Sequence, residues 1–363
     1  MPFDVFMEMA LYGDEGFFAT GRGAGRAGSD FVTSVETGSL FGALVAEAID
    51  REWDALGNPD PFVVIEAGAG SGKLARDIAR AHPRCAAALR YLLVEKSAVL
   101  RDHQRSLVAL DDPSVVLGPF GRAHGDESED PLVPIGGGGP LFAQLGDLPA
   151  GRFDGVILCN ELLDNLPFGI AEFDGARWHE ARVGVDEGGA VELLFTAMDD
   201  DAVACAGAVV GTRIPLDRSL TAWFESASRC LRTGAVLVID YVVAMDEIVA
   251  RSPNWLRTYH QHRRGHDPLV VPGRADITAD VPLEYVEHAA QRCGFLLAEP
   301  VTQAEWLREL GIEDRVRSAQ ALWAERAHVG DLEAMKAKSI VHEASVLTEE
   351  AGLGSFAVLR LQR

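Results

Sequence analysis

The chain has 363 residues, 48% of them hydrophobic, so it can bury a large core and has room for one elaborated domain or two joined domains. Its 33 lysines and arginines against 55 aspartates and glutamates give a net charge of −22, which argues against nucleic acid as a ligand and favours a cationic partner. No apolar run approaches the roughly 20 residues of a membrane-spanning helix, so we expect no membrane insertion.

The cysteines and the first residues indicate the compartment. Five cysteines are scattered along the chain without a Cys-x-x-Cys pair, a pattern typical of reduced thiols. Residues 1–8 carry acids and lack the basic stretch of a secretory or transit peptide. We therefore expect a cytoplasmic protein.

Residues 1–55 are predicted to form an N-terminal cap segment, with a glycine- and arginine-rich loop at 21–28 and a helix at 40–53. Residues 56–363 then alternate strands with helices, which predicts an α/β fold whose mainly parallel sheet is covered on both faces. The predicted strands are residues 62–66, 91–95, 115–117, 155–159, 235–240, 295–298 and 355–361. The predicted helices are residues 73–80, 98–110 and 220–231.

Several segments are additions to this alternating core. Residues 168–215 alternate apolar and polar positions, as inserted antiparallel hairpins do. We expect a loop region at 243–285 and a helical region at 303–345, with breaks near Gly311 and Gly330. Residues 121–140 are acidic and then glycine-rich, and we predict a flexible excursion without chemistry there.

The sharpest motif is the turn between the strand at 62–66 and the helix at 73–80. Glycines at this edge of a sheet let the backbone approach a ligand closely. A dinucleotide fingerprint would place its third glycine at position 73, where Lys73 stands, so an NAD-dependent oxidoreductase is a disfavoured alternative. Leu74 after Lys73 excludes a P-loop. The residues predicted to bind a cofactor in this turn are Glu66, Gly68, Ala69, Gly70, Ser71 and Gly72.

Two acids near the later strands suggest that the ligand is an adenosine without phosphates. Glu95 ends the second strand, where a carboxylate can accept hydrogen bonds from both ribose hydroxyls. Asp147 lies before the fourth strand and could accept a bond from the adenine amino group. A solvated loop acid is the alternative interpretation of Glu95, and a simple Gly-Asp turn is that of Asp147.

Long runs of residues resemble the MidA family of S-adenosylmethionine-dependent methyltransferases. These runs are ALY at 10–12, DFVTSVE at 30–36, NELLDNLPF at 160–168, IDY at 239–241, LRTYH at 256–260 and DIT at 276–278. The resemblance implies a Rossmann-like methyltransferase with a mainly parallel seven-stranded sheet, a smaller additional lobe and S-adenosylmethionine as cofactor. It also implies a protein substrate methylated on arginine, because mitochondrial members resemble arginine methyltransferases that act on a respiratory complex I subunit. Val35, Asn165 and Val242 depart from the family pattern.

An arginine acceptor stays protonated, so its site should present carboxylates that orient the guanidinium. Glu161 and Asp164, three residues apart just after a strand, are the predicted catalytic pair, and Glu36 is a third candidate. Asp164 could instead brace its loop, and Glu161 could be a surface acid. Asn160 is predicted to contact the amino-acid end of the cofactor, because its amide both donates and accepts.

Other chemistry-bearing residues are secondary in this interpretation. Asp240 and Tyr241 end the fifth strand and face the same sheet edge. His260, His262 and His266 have irregular spacing and no thiolate partner, so we expect no metal and instead a basic loop that contacts a partner. The departures from the family pattern keep one further alternative open, a non-catalytic assembly factor that binds the cofactor.

Overall fold

The computed structural model describes residues 1–20, 33–118, 138–187, 191–198, 207–260, 263–265 and 267–363. The α-helices are α1 (Phe3–Tyr12), α2 (Ser34–Thr37), α3 (Leu40–Ala55), α4 (Lys73–Ala81), α5 (Ala98–Leu107), α6 (Pro113–Leu117), α7 (Leu220–Cys230), α8 (Met245–Arg251), α9 (Leu283–Arg292), α10 (Gln303–Glu309), α11 (Ile312–Arg326) and α12 (Leu332–Leu347). The strands are β1 (Phe62–Ala67), β2 (Leu89–Val94), β3 (Leu141–Leu145), β4 (Phe153–Asn160), β5 (Gly169–Phe173), β6 (Trp178–Val185), β7 (Val191–Ala197), β8 (Arg213–Leu216), β9 (Leu231–Asp240), β10 (Val242–Val243), β11 (Leu256–His260), β12 (Arg263–Gly265), β13 (Asp276–Ala279), β14 (Val281–Pro282), β15 (Leu296–Leu297), β16 (Val301–Thr302) and β17 (Ala357–Gln362).

The central sheet has the strand order β15-β17-β9-β4-β1-β2-β3, and the short β16 also pairs with β17. The pairs from β9 through β3 are parallel, whereas β17 runs antiparallel to its neighbours. Every residue of β1 and of β2 is buried, as expected for continuous apolar runs in a sheet covered on both faces. The predicted Rossmann-like, mainly parallel sheet of seven strands is confirmed, with β16 as a short addition.

Helices cover both faces of this sheet and form two hydrophobic clusters with it. One cluster joins α3, α4, α10 and α12 to β1 and β2. The other joins α7 and α9 to β4 and β9. This three-layer arrangement leaves the carboxyl ends of β1, β2, β3 and β4 along one edge, where ligands of open α/β sheets bind.

A third hydrophobic cluster forms the smaller lobe. It contains α1, α8, a four-stranded antiparallel sheet of order β7-β6-β5-β8 and a three-stranded antiparallel sheet of order β12-β11-β13. Trp255, which is fully buried, donates its indole N–H to the Arg213 carbonyl and so ties the lobe together. The predicted N-terminal segment 1–55 therefore contributes to two parts, because α1 packs in this lobe and α3 on the central sheet.

Two expectations differ from the structure. The strand predicted at 115–117 is wrong: these residues belong to α6, which Asp112 caps by accepting from the Ser114 amide at 2.8 Å and which begins with Pro113. The third parallel strand is β3 instead. The loop region expected at 243–285 contains α8, β11, β12 and β13.

The glycine-rich loop at 21–28 and most of the excursion at 121–140 lie outside the described residues. Across the described ranges, no helix combines the length and apolar character that crossing a membrane requires. The cysteines within them, Cys85, Cys159, Cys230 and Cys293, are free thiols.

Candidate functional site

A cavity of about 910 Å³ opens at the carboxyl ends of β1 to β4, a volume suited to a cofactor-sized molecule. Its lining residues form two groups. The glycine-turn side is lined by Glu66, Gly68, Ala69, Gly70, Ser71, Glu95 and Asp147. The carboxylate side is lined by Tyr12, Glu36, Asn160, Glu161, Asp164, Tyr241, Tyr259, Asp276 and Thr278.

The turn after β1 brings backbone rather than side chains to the cavity. Gly68 and Gly70 have φ angles of 74° and 51°, which glycine adopts without the steric cost that a β-carbon brings. A β-carbon on Gly70 would meet nothing within 4 Å. Gly72 does not line the cavity. A β-carbon there would point away from it, at 3.0 Å from the Gln104 side chain and 3.1 Å from the Leu93 side chain. Its role is close packing behind the turn.

Glu95 is buried at the end of β2 and holds the turn in place. One carboxylate oxygen accepts from the Gly70 amide at 2.9 Å and the other from the Ser97 amide at 2.8 Å. Only 7% of the residue is exposed, so the solvated-loop alternative is wrong. Burial raises the pKa of this carboxyl. Each carboxylate oxygen keeps a second lone pair for a ligand hydroxyl.

Glu66 lies beneath the same turn, bonded to a neighbouring strand. The Tyr91 hydroxyl donates to its carboxylate at 2.8 Å, and both residues are buried. Burial raises the pKa of Glu66 to about 8, against the lowering effect of the Tyr91 hydrogen bond. Asp147 is exposed just after β3 and lines the cavity, a position that an adenine contact requires.

The residues present fit S-adenosylmethionine. Open space lies over Gly70, and Glu95 can accept from ribose hydroxyls as well as from its two amides. The buried Oδ1 of Asn160 has no hydrogen-bond partner among the described residues, so it is an acceptor suited to the ammonium group of the cofactor. When bound, this cofactor supplies a methyl group carried on a sulfonium.

On the carboxylate side, Glu36, Glu161 and Asp164 line the same cavity, although Glu36 comes from a distant part of the chain. Glu161 has a φ of 52°, a left-handed conformation that is uncommon for a non-glycine residue. Burial and the charges of Asp164 and Asp240 raise the pKa of Glu161. An unusual backbone and a raised pKa are both common at functional sites.

Asp164 is 4% exposed, and its two oxygens differ. Oδ2 accepts from the Thr278 hydroxyl, so this residue does brace the loop against β13. Within the described part of the chain, Oδ1 has no hydrogen-bond partner and is left for a ligand. Burial raises the pKa of this carboxyl. The bracing and ligand-binding interpretations of Asp164 are therefore compatible.

Asp240 fixes the loop that carries Glu161 and Asp164. One of its oxygens accepts from the amides of Leu162 and Leu163 at 3.0 and 2.7 Å. Its other oxygen accepts from the Tyr241 amide at 2.8 Å. The fully buried Asp240 thus acts on the loop rather than on the cavity, which it does not line.

Sequence reasoning missed the side chains that the smaller lobe contributes to the cavity. Tyr12 donates from its hydroxyl to the Asn165 carbonyl at 3.2 Å, and the Lys96 ammonium lies 4.7 Å from its ring centroid. Asp276 and Thr278 come from β13 and Tyr259 from β11. The available signal was the family resemblance, whose runs include 10–12, 256–260 and 276–278.

The predicted basic histidine loop is only partly described. His260 Nδ1 lies 2.8 Å from the Arg274 carbonyl, while His262 and His266 are outside the described residues. In the ranges that are described, no group of three or more His, Cys, Asp or Glu has metal-binding geometry.

Comparison with known proteins identifies the family. The model of the family described as "Putative S-adenosyl-L-methionine-dependent methyltransferase" matches residues 44–301. A Burkholderia thailandensis protein crystallised with S-adenosyl-homocysteine is similar over 100% of this chain and 88% of its own, with a TM-score of 0.79 and 28% identity.

Two curated relatives are mitochondrial proteins. The Drosophila melanogaster protein arginine methyltransferase NDUFAF7 homolog is 29% identical over 88% of this chain and 74% of its own length. The Rattus norvegicus protein arginine methyltransferase NDUFAF7 is 29% identical over 79% of this chain and 65% of its own. The chain thus spans 74% and 65% of the lengths of these two relatives.

The family match covers the glycine turn, Glu95 and the loop after β4, which build much of the cavity, whereas the lining residues Tyr12 and Glu36 lie before it. The chain belongs to this family of S-adenosyl-L-methionine-dependent methyltransferases.

Proposed function

We propose that this protein transfers the methyl group of S-adenosylmethionine to a guanidinium nitrogen of an arginine in a partner protein. The observation that carries the proposal is an excess of carboxylates in one cavity, with Glu36, Glu161 and Asp164 all lining it. Of the lysines that line the cavity, Lys73 binds the Val35 carbonyl and Lys96 pairs with Glu8 at 2.5 Å. Arg152 and Arg229 also line the cavity. The buried Arg257, which acts on Asp164, hydrogen-bonds Asp280. A substrate guanidinium would add a further positive charge beside the three carboxylates.

The residues of the cavity have distinct proposed roles. The cofactor is held by Gly68, Gly70, Glu95, Asn160 and Asp147. The carboxylate side of the cavity faces the glycine turn. Glu161 and Asp164 hold the planar guanidinium by paired hydrogen bonds, so that one nitrogen points at the methyl group. A carbon–nitrogen bond forms as the methyl–sulfur bond breaks, and the electron pair of that bond stays on sulfur.

The methylated nitrogen must lose one proton. The Asp164 Oδ1 atom, which has no partner among the described residues, is the proposed acceptor. Burial raises the pKa of the Asp164 carboxyl toward neutral pH, the range in which general bases work best. Positioning supplies most of the acceleration in this proposal, because the reaction needs neither a metal nor a covalent enzyme intermediate.

Two of the departures from the family pattern are accommodated within the site. Asn165 donates to Asp276 Oδ1 at 3.0 Å and to the Ile277 carbonyl at 2.9 Å, which ties the loop after β4 to β13. The backbone carbonyl of Val35 is the group that Lys73 contacts, so the contact does not depend on the side chain at position 35. These contacts favour a working enzyme over a non-catalytic assembly factor. The family match disfavours an NAD-dependent oxidoreductase.

The test is mass spectrometry of a peptide mixture incubated with the protein and trideuteromethyl-labelled S-adenosylmethionine. We expect label on arginine, lost at least about tenfold in Glu161→Gln and in Asp164→Asn, because each removes a charge from the guanidinium site. The exposed Glu313→Gln variant on α11 is the matched control. Label on another residue type would overturn arginine as acceptor, and absence of any label would favour the non-catalytic alternative.

The partner and the compartment are also proposals. A protein substrate rather than nucleic acid is supported by the acidic charge of −22 and by the names of the curated relatives. A cytoplasmic location is supported by the free thiols, whereas the named relatives are mitochondrial. Fractionation of cells that express the tagged full chain distinguishes the two compartments.

A further inference from the structure

A short segment of the N-terminal region crosses the carboxylate side of the cavity. It runs from Thr33 through α2 to the start of α3, and we call residues 33–40 the crossing segment. Thr33, Val35 and Glu36 line the cavity. With only four helical residues, α2 has little stability of its own, so its position must be set by contacts with other elements.

The first of these contacts comes from α10. The Ser34 hydroxyl donates to Gln303 Oε1 at 2.8 Å, and both residues are fully buried. The other end of the same amide donates to the Leu347 carbonyl of α12 at 3.0 Å. Because both halves of the Gln303 amide are used, its orientation is fixed, and a buried polar group would be left unpaired if the segment moved away.

The second contact comes from α12. The Leu40 amide donates to Glu343 Oε2 at 2.9 Å, while the Ser339 hydroxyl donates to Glu343 Oε1 at 2.7 Å. Glu343 lies across Gly38 so closely that a β-carbon there would sit 2.0 Å from its carboxyl carbon. Glycine at position 38 is therefore required for this contact.

A third contact joins the crossing segment to the start of α4. The Lys73 ammonium contacts the carbonyl of Val35 and lies 3.4 Å from that of Gly38. The crossing segment is thus held between the helix that follows the glycine turn and the two C-terminal helices. The family match ends at residue 301, so Gln303 and Glu343 lie outside it.

We infer that Gln303 and Glu343 are positioning residues, which hold the crossing segment so that Glu36 and the Ser34 amide face Glu161 and the acceptor. The catalytic consequence rests on the proposed function, whereas the positioning itself does not. This positioning agrees with the electrostatics of Glu161. Burial is the main cause of the raised pKa of Glu161, and the Ser34 amide, which faces that carboxyl, lowers the pKa. The C-terminal helices therefore contribute to the active site without touching the substrate.

The experiment compares Gln303→Leu, Ser34→Ala, the double variant and the control Arg308→Gln, an exposed change on the same helix. Hydrogen–deuterium exchange, measured with S-adenosylhomocysteine bound, needs no acceptor. We expect faster exchange at residues 33–40 in Gln303→Leu and Ser34→Ala, and unchanged exchange at residues 68–72 and in the control. The Kd of S-adenosylhomocysteine should change less than about twofold, because no contact of the glycine turn is removed.

Turnover is measured with Nα-acetyl-arginine methylamide as the acceptor. We expect kcat to fall about tenfold in Gln303→Leu with the KM for S-adenosylmethionine unchanged, since the change removes the hydrogen bonds to the Ser34 hydroxyl and to the Leu347 carbonyl. The double variant should be no slower than Gln303→Leu alone, because both changes remove the same contact. A merely structural role would weaken cofactor binding and turnover together.

The outcomes separate the two proposals. If the wild type transfers no methyl group to the arginine probe, the proposed function fails, and the exchange data still decide the positioning. Unchanged exchange at residues 33–40 in Gln303→Leu, or additive losses of kcat in the double variant, would overturn the positioning inference. Should Gln303→Leu fail to fold, Ser34→Ala alone must show the faster exchange and the lower kcat.

Discussion

Replacing Gly70 with alanine distinguishes a ligand-binding turn from a purely structural one. Gly70 has a φ of 51°, and a β-carbon there would meet nothing within 4 Å, so the protein itself has room for the methyl group. Gly330 is a matched control, with a φ of 64°, equal space and no place in the cavity lining. Left-handed backbone costs alanine about 1–2 kcal/mol, so both variants should lose about 1–3 °C of Tm.

Only the change at Gly70 should weaken cofactor binding. The added methyl group would occupy cavity volume, and the turn cannot move away, because Glu95 holds the Gly70 amide and Gln104 Nε2 donates to the Gly70 carbonyl at 2.9 Å. Crowding of this kind costs about 2 kcal/mol, which corresponds to a roughly 30-fold higher Kd. Calorimetric titration with S-adenosylhomocysteine and thermal unfolding measure the two effects. Equal Kd values for Gly70→Ala and Gly330→Ala would refute the reasoning.

Two further predictions concern buried acids. The pKa of Glu66 is about 8 in the folded chain against 4.5 for the free group. The contribution of protonated Glu66 to folding stability is therefore fully present below about pH 4.5 and is lost as pH rises through 8. Glu66→Gln should flatten that part of a plot of Tm against pH, and a decline as steep as in the wild type would contradict it. Asp240→Asn has one accepting oxygen for three backbone amides, so it should lower the free energy of unfolding by about 1–3 kcal/mol. Its methyl transfer should fall more than its cofactor affinity, and the reverse order would mean that Asp240 does not act through the loop.

Much of the central fold follows from local patterns in the sequence. Continuous apolar runs mark β1, β2, β4 and β9, and the glycines after β1 mark the turn, because both features depend on neighbouring residues alone. The apolar run at 115–117 is typical of a strand, whereas the Asp112 cap and Pro113 favour the helix start that the structure has there. The cap is the local signal that distinguishes the two.

The cavity could be predicted only on the sides that the core strands build. Glu95, Asn160, Glu161 and Asp164 lie at or just after the ends of strands of one parallel sheet, so their proximity follows from the topology. Tyr12 and Thr278 reach the same cavity through the packing of the smaller lobe, which no local pattern specifies. Likewise, the contact of Ser34 with Gln303 joins residues 269 positions apart, beyond any periodicity in the sequence.

The most direct test of the account is calorimetric titration of the purified chain with S-adenosylhomocysteine, for wild type, Glu95→Ala and the exposed control Glu313→Ala. Glu95 is the residue that joins the glycine turn to the predicted ribose contact. The account predicts saturable 1:1 binding by the wild type and the control, and a Kd at least about tenfold higher in Glu95→Ala, since a charged hydrogen-bond acceptor is lost. Absence of binding by the wild type, or equal Kd values for all three proteins, would contradict the assignment of this cavity to the cofactor.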